Sequence, residues 1–260
     1  MQLGLVAVKQ GYETGAMVKE DHRKGIFDDL VKERSTLEPK SRDRNECYPG
    51  TRLKVLTEIE DWINSDDDLQ PVFCLSGDSG LGKTAIAVSV SQQTIRYGKN
   101  VRFAAFFCSS LSEEASNPNN IFPTLAAQFA VWEDVYPVFK DELGLHKMHD
   151  SEKKRHKNLL TRLLKEADQS QKKLLVIDGL DECKSEAEVH TILKSLLEII
   201  KEDIPSLKIL ITCRSNSQIS TTLFDYNAYQ YSLNAIDPSA HARDLRILLS
   251  VELRARDITQ

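Results

Sequence analysis

The segment with the clearest chemistry is a glycine-rich loop that ends in lysine and threonine. It follows the pattern G-x-x-x-x-G-K-[ST], in which glycines let the backbone curl around phosphate oxygens where a side chain would block the approach. Lys83 supplies a full positive charge for the β and γ phosphates, and the Thr84 hydroxyl suits a magnesium ion. The sequence therefore predicts a phosphate-binding loop made of Gly77, Asp78, Ser79, Gly80, Leu81, Gly82, Lys83 and Thr84.

A carboxylate at the end of another apolar run complements this loop. Residues 174–177 are Leu-Leu-Val-Ile, and Asp178 follows them. Ligands of open α/β sheets lie at the carboxyl ends of the strands, so this carboxylate should face the bound magnesium ion. We therefore expect Thr84 and Asp178 to hold Mg2+ together.

Two further acids follow this aspartate at a short distance along the chain. In many ATPases of this plan the residue directly after the magnesium aspartate is a glutamate that activates water, but here it is Gly179. A hydrolytic base would then have to be Asp181 or Glu182, reached by a longer path. The alternative is that both acids only cap the helix predicted to begin near Ser185.

An arginine directly follows a third apolar run, residues 208–213. A guanidinium at the carboxyl end of a strand beside the phosphate loop can reach a γ-phosphate and report whether it is present. Arg214 is therefore a candidate for that contact. Thr212 could make it instead, and an ordinary surface arginine is the remaining alternative.

The order of apolar segments indicates how these side chains are positioned. Beyond Pro71 short apolar runs alternate with helical patterns, which is typical of a parallel sheet covered on both faces. The predicted strands are Val72–Ser76, Arg102–Cys108, Lys173–Asp178, Leu207–Cys213 and Ala228–Leu233. The predicted helices are residues 51–63, 82–97 and 123–135, two with apolar stripes over residues 159–167 and 189–200, and one after Pro238 that carries Leu245, Leu248 and Leu249.

We expect all of these leucine and isoleucine stripes to face the core. Two polar segments, Ser109–Asn120 and Asp141–Lys157, are predicted to be surface loops, the second of them mobile. Residues 1–45 read as an extension or linker, and residues 46–258 as one nucleotide-binding domain.

Composition restricts the class of protein further. The 34 basic and 39 acidic residues leave no excess of positive charge for a nucleic-acid backbone. No stretch approaches the roughly 20 apolar residues of a membrane span, and no secretory signal is visible, so we expect a cytoplasmic protein without a membrane partner. The 5 cysteines are widely spaced, which suits reduced and mostly buried thiols.

Taken together, these motifs resemble the NACHT class of STAND nucleotide-binding switches, in particular fungal NLR-like proteins and the nephrocystin-type N-terminal module. A small residue after the magnesium aspartate, followed by a second acidic pair, is the most distinctive mark of that class. The resemblance covers about residues 45–255. It depends on residues 47–52 with Trp62 and Ile63, and on residues 75–84, 176–183 and 211–214.

The resemblance implies a P-loop NTPase fold, an α/β three-layer α/β/α sandwich whose mostly parallel five-stranded sheet has the order 5-1-4-3-2. It also implies binding of ATP or GTP with Mg2+, slow hydrolysis, and nucleotide-gated self-association with NLR-type signalling partners, often in heterokaryon incompatibility or innate immunity. Thr51 and Arg52 would then lie close to the nucleotide; otherwise they only begin a helix.

Two departures from that class affect the expected function. Ser215 stands where a proline usually follows the arginine strand. The class also continues into a helical or winged-helix lid and a repeat array, so we expect this chain to be a truncated or fragmentary product. Three functions stay open: a switch module with slow or no hydrolysis, an active Mg-dependent NTPase that uses Asp181 or Glu182 as base, and a nucleotide-binding scaffold without switching output. A kinase-type transferase is disfavoured because no acceptor-binding constellation is visible.

Overall fold

The computed structural model of the chain describes residues 45–66, 69–97, 100–130, 132, 134–139, 152–202, 204–215 and 217–257. All but the last residue of the predicted extension 1–45 lie outside these ranges. Residues 141–151, the first part of the second predicted loop, lie outside them as well. The domain boundary near residue 46 therefore stays a prediction.

The centre of the fold is a sheet of five parallel strands. Their order is β2-β3-β4-β1-β5, which is the expected 5-1-4-3-2 read from the other edge. Each predicted strand is confirmed to within one residue at either end. The strands are β1 Val72–Ser76, β2 Val101–Phe107, β3 Lys172–Asp178, β4 Leu207–Cys213 and β5 Tyr229–Ser232.

Helices cover both faces of this sheet. They are α1 Leu53–Asn64, α2 Lys83–Tyr97, α3 Ile121–Phe129, α4 Glu152–Glu166, α5 Glu186–Ile200, α6 Gln218–Asp225 and α7 Pro238–Asp257. A short helical turn covers residues 136–139. Turns of 3-10 helix occupy Pro118–Asn120, Leu180–Glu182 and Leu233–Ala235.

Each face of the sheet has its own apolar core, because successive side chains of a strand point to opposite sides. In β3, Leu175 and Ile177 join a cluster with residues of α3, α4 and α5, whereas Leu174 and Val176 join one with residues of α1 and α2. A strand covered on both faces is apolar over most of its length, which explains the continuous apolar runs in the sequence. The fold is a three-layer α/β/α sandwich, as predicted.

Three of the predicted boundaries were wrong. Helix α3 begins at Ile121 and ends at Phe129, not at residues 123 and 135, since Pro123 fits the first turn, where its missing N–H costs nothing. Helix α4 begins at Glu152, because its first turns are charged and hide the helical pattern from which a loop to Lys157 was predicted. The segment Ser109–Asn120 is a loop that is partly buried at residues 115 and 116.

Helix α6 was not predicted at all. Its sequence is largely polar, and only Ile219 and Leu223 are buried, which is too few apolar residues for a periodic signal. The Ser217 hydroxyl begins the helix by accepting the backbone N–H of Ser220 at 3.2 Å. This N-cap is the local sequence feature that could have revealed the helix.

Helix α7 contradicts the expectation that every leucine stripe faces the core. Leu245, Leu248 and Leu249 are 49%, 40% and 59% exposed. The helix instead approaches the start of α1 through the side that carries Asp244, which bonds to Arg52. An apolar periodicity establishes that a helix exists, but the neighbours decide which side it buries.

Two predictions from composition can be compared with the described residues. None of the helices that the structure describes combines the length and the apolar character needed to cross a membrane. All five cysteines are described and are free thiols; Cys74, Cys108 and Cys213 are buried, and Cys47 and Cys183 are partly exposed.

Candidate functional site

The phosphate loop begins where β1 ends, and it is tied to the neighbouring strand. The Gly77 N–H donates to the Cys213 carbonyl at the end of β4, at 3.3 Å. Gly80 and Gly82 have φ angles of +83° and +87°, in the left-handed region that favours glycine. A Cβ atom at either position would meet no atom within 4 Å, so the loop offers open space at both positions. Open space of this kind would let an oxyanion approach backbone N–H groups of the loop.

Lys83 folds back onto the loop that precedes it. Its ammonium donates to the carbonyls of Gly77 and Asp78 at 2.7 and 3.0 Å. The same residue begins α2, and the first turn of that helix contains no acidic residue to offset the positive end of the helix dipole. Thr84 lies in this first turn. Two sources of positive potential therefore converge on one short loop.

Asp178 lies at the end of β3, on the same edge of the sheet as the loop. Its Oδ1 accepts a 2.6 Å hydrogen bond from the Thr212 hydroxyl, which itself accepts the Gly179 N–H at 2.8 Å. Asp178 is 1% exposed and Thr212 is fully buried. The Thr212 hydroxyl is therefore engaged with Asp178 and with the backbone that follows it.

Gly179 shapes the chain after this aspartate. Its φ angle is +65°, and the backbone then turns into the 3-10 helix that contains Asp181 and Glu182. The Glu182 N–H closes this turn on the Gly179 carbonyl at 2.7 Å. Ser185 caps α5 through the Glu188 N–H at 3.3 Å, so the two acids do not serve as that cap.

The structure joins two of the candidate residues in one ion pair. The Asp181 Oδ2 lies 3.0 Å from the Arg214 Nε, and Oδ1 accepts the Arg214 backbone N–H at 3.2 Å. The Asp181 side chain is 12% exposed and the Arg214 side chain is 62% exposed. The carboxylate is thus held in place, whereas most of the guanidinium lies in solvent.

The two residues expected ahead of α1 occupy different positions. Thr51 is buried, and its hydroxyl donates to the Tyr48 carbonyl at 2.7 Å within its own turn. Arg52 has a left-handed φ of +56°, and its guanidinium donates to the Leu81 carbonyl of the phosphate loop at 2.9 Å. Its backbone N–H donates to Asp244 of α7 at 3.1 Å. Arg52 therefore connects the loop to α7.

The sequence did not predict a set of hydrogen bonds that holds Asp78, in the first part of the loop. The Asn234 side chain accepts the Asp78 N–H at 3.1 Å and donates to the Asp78 carboxylate at 2.7 Å. The Ser215 hydroxyl donates to the same Asn234 oxygen at 2.9 Å. Serine in place of the usual proline thus has a structural role. Asn234 follows the end of β5, and that position alone could have marked it as a candidate.

A cleft of about 340 Å³ opens beside Arg52, between α1, the end of β5 and the start of α7. Its polar lining includes Glu58, Tyr231, Asp237 and Arg243. Burial raises the pKa of the Tyr231 phenol, so this side chain stays neutral and can donate a hydrogen bond. The cleft therefore combines an aromatic ring with charges of both signs.

Comparisons with known proteins agree with the motifs. The family model described as nephrocystin 3, N-terminal, matches residues 50–214, which include the loop, Asp178 and Arg214. No curated protein sequence matches the chain.

Solved structures that resemble the chain include the following three. Drosophila ORC bound to DNA is 14% identical, with 84% of this chain and 49% of that chain covered and a TM-score of 0.45. A Walker-type ATPase of Pyrococcus abyssi is 13% identical, with coverages of 78% and 59% and a TM-score of 0.46. Cdc6p of Pyrobaculum aerophilum is 14% identical, with coverages of 83% and 46% and a TM-score of 0.37. The chain thus spans about half the length of these solved chains.

Proposed function

Because the chain belongs to the nephrocystin 3 N-terminal family, we propose that it binds a nucleoside triphosphate, ATP or GTP, together with Mg2+. The observation that carries this proposal is the loop from Gly77 to Thr84. Its left-handed glycines leave open space for phosphate oxygens, and its lysine and the start of α2 supply positive potential. A glycine-rich loop at the start of a helix is typical of sites that bind an anion such as phosphate.

The residues present also suit a magnesium ion. Magnesium prefers oxygen ligands and is commonly held by one or two protein groups together with substrate phosphates. Thr84 and Asp178 are these groups in our proposal, and Thr212 keeps the carboxylate oriented through its 2.6 Å hydrogen bond. When bound, the ion would neutralise charge on the phosphates.

The nucleoside end of the ligand fits the cleft beside Arg52. Arg52 lines that cleft and also bonds to the loop, so the cleft adjoins the site of the phosphates. The Tyr231 ring provides a surface for a base, and the charged groups could recognise its edge. The lining alone does not favour adenine over guanine.

We further propose that hydrolysis is slow and that the module acts as a switch in NLR-like signalling in the cytoplasm. Gly179 replaces the usual glutamate, and Asp181 is engaged by Arg214, which leaves Glu182 as the base. The exposed end of Arg214 is our candidate for the γ-phosphate contact. A net charge of −5 disfavours nucleic acid as the partner, and the family resemblance favours self-association.

Binding of a fluorescent triphosphate in the presence of Mg2+ tests the nucleotide site. Lys83→Ala should abolish binding without lowering the melting temperature, because the ammonium contacts only loop carbonyls among the described residues. Lys165→Ala, which removes an exposed lysine that pairs with Glu202 on the surface, serves as the matched control and should bind like the wild type. Equal binding by the wild type and Lys83→Ala would refute the proposal.

The second candidate function is a fast Mg-dependent NTPase that uses Glu182. It is favoured by a single observation, the presence of this acid one 3-10 turn after Asp178. Steady-state phosphate release separates the two functions. A turnover above about one per second, at the low end of ordinary enzymes, would exclude the slow switch.

A further inference from the structure

Asp181 lies where it can compete with a nucleotide for the one arginine at the end of β4. Its Oδ2 contacts the Arg214 Nε at 3.0 Å. Among the described residues, the two terminal nitrogens of that guanidinium have no hydrogen-bond partner, and the side chain is 62% exposed. Among the described residues, the guanidinium of Arg214 is therefore held at Nε alone.

The two partners differ in how firmly they are fixed. The Asp181 side chain is only 12% exposed, and its second oxygen accepts the Arg214 backbone N–H at 3.2 Å. The aspartate thus stays in place when the arginine side chain moves. The ion pair, by contrast, is open to water, and exposed ion pairs are weak enough to be exchanged for a stronger partner.

The chain geometry brings this pair to the phosphate loop. Arg214 directly follows Cys213, whose carbonyl accepts the N–H of Gly77, the first residue of the loop, at 3.3 Å. A γ-phosphate carries more charge than a carboxylate and matches the planar guanidinium fork. A diphosphate lacks the γ-phosphate, so it offers no stronger partner that would displace Asp181 from the Arg214 guanidinium.

We propose that Asp181 is a specificity-determining residue that holds Arg214 in the diphosphate-bound and ligand-free protein and releases it to a γ-phosphate. Each triphosphate that binds must therefore break the Asp181–Arg214 pair, whereas a diphosphate need not. Asp181 lowers the preference for triphosphate over diphosphate and is not the hydrolytic base. This inference depends on the proposed nucleotide site.

The substitution Asp181→Asn removes the negative charge of this side chain and keeps its size. Its side-chain oxygen can still accept the Arg214 backbone N–H, so the local fold is kept while the ion pair is lost. From the usual strength of exposed pairs, we expect Asp181→Asn to raise triphosphate affinity about two- to fivefold and to leave diphosphate affinity unchanged. The probes are ATPγS and ADP with Mg2+, or the guanine analogues if the wild type prefers them, measured by titration calorimetry.

A double-mutant cycle separates release of the arginine from simple removal of negative charge. In the Arg214→Gln background Asp181→Asn should change triphosphate affinity by less than about 1.5-fold. Glu186→Gln removes an exposed charge at the start of α5 and should have no effect in either background. Equal gains in both backgrounds, a lower triphosphate affinity, or an equal gain for diphosphate would overturn the inference.

The same measurements distinguish an error in the role of Asp181 from an error in the proposed nucleotide site. If the wild type binds neither probe, or if Lys83→Ala binds both normally, the proposed function itself is wrong and the inference falls with it. If the wild type binds and Lys83→Ala does not, an unchanged triphosphate preference in Asp181→Asn overturns only the role of Asp181. Equal melting temperatures of the variants and the wild type verify that the fold is intact.

Discussion

The Thr212 hydroxyl donates a 2.6 Å hydrogen bond to the Asp178 carboxylate, and both side chains are buried. A hydroxyl has one proton, and this one is directed to Asp178 while its oxygen accepts the Gly179 N–H. Thr212 is thus committed to two partners on the neighbouring strand. We infer that it positions Asp178, the proposed magnesium ligand, and does not itself contact a phosphate.

Thr212→Val tests this positioning role, because valine keeps the shape and removes the hydroxyl. Loss of two buried hydrogen bonds, one of them to a carboxylate, should lower the free energy of unfolding by about 2 to 3 kcal/mol. If Asp178 holds Mg2+ as proposed, the loss of the partner that orients it should also weaken Mg2+-dependent nucleotide affinity by about tenfold or more. Urea denaturation and a Mg2+ titration measure the two effects.

Thr212→Ser is the matched control for that experiment. It keeps the hydroxyl and should retain most of the Mg2+ dependence, at some cost in packing. If Thr212→Val required no more Mg2+ than the wild type, the positioning role would be wrong.

Alanine at two loop glycines should produce two different defects. A Cβ at Gly77 would lie 2.9 Å from the Leu233 Cβ, so Gly77→Ala should lower the melting temperature and cost about 1 to 3 kcal/mol of stability. Gly80 has open space around its Cβ position but a φ of +83°, so Gly80→Ala should cost only about 1 to 2 kcal/mol.

The two substitutions should affect triphosphate affinity in the opposite order from stability. In Gly80→Ala the methyl group would occupy the open space that we propose for phosphate oxygens. We therefore expect Gly80→Ala to reduce triphosphate affinity more than Gly77→Ala, once both are measured below their melting temperatures. If Gly80→Ala bound triphosphate as tightly as the wild type, the open space at Gly80 would not be the proposed site of the phosphate oxygens.

Glu182→Gln should separate hydrolysis from binding. Loss of a general base typically lowers the rate by about a hundredfold or more, so any slow turnover of the wild type should fall by that factor. Triphosphate affinity should stay within about twofold, because we assign Glu182 no contact with the bound phosphates. Single-turnover phosphate release and equilibrium binding give the two numbers. An unchanged rate would eliminate Glu182 as the base.

Arg52→Met tests the connection between the phosphate loop and α7. Methionine keeps much of the apolar stem but loses the bond to the Leu81 carbonyl and the ion pair with Asp244. We expect a stability loss of about 1 to 2 kcal/mol and faster amide hydrogen exchange in α7.

Arg246→Met, on the exposed side of α7, is the control for Arg52→Met. It should leave both the stability and the hydrogen exchange of α7 unchanged. If exchange in α7 were the same in Arg52→Met as in the wild type, the helix would be held by contacts other than Arg52.

Much of the fold could be predicted because strands such as β3 and β4 are apolar on both faces. That pattern is typical of a sheet covered by helices on both sides, and the strand bounds were right to within one residue. Prediction failed where local sequence is ambiguous. The charged first turns of α4 and the polar α6 show no apolar periodicity, and the leucines of α7 show a periodicity that the domain does not bury.

The candidate site divides in the same way. The places of the loop from Gly77 to Thr84 after β1 and of Asp178 at the end of β3 could be predicted from sequence, because they depend on residues adjacent in the chain or at a strand end. The hydrogen bonds between Asn234 and Asp78 and between Arg52 and Leu81 could not be predicted, since each joins residues far apart in sequence.

The sequence by itself determined the phosphate-loop motif, the parallel α/β plan and the set of candidate acids and arginines. Those features follow from residue type, local spacing and periodicity. Only the tertiary structure decided that Asp181 pairs with Arg214, that Thr212 is committed to Asp178, and which side of α7 faces the domain. The physical reason is that side-chain partners are chosen by distance in space, which the packing of strands and helices sets and the order of residues does not.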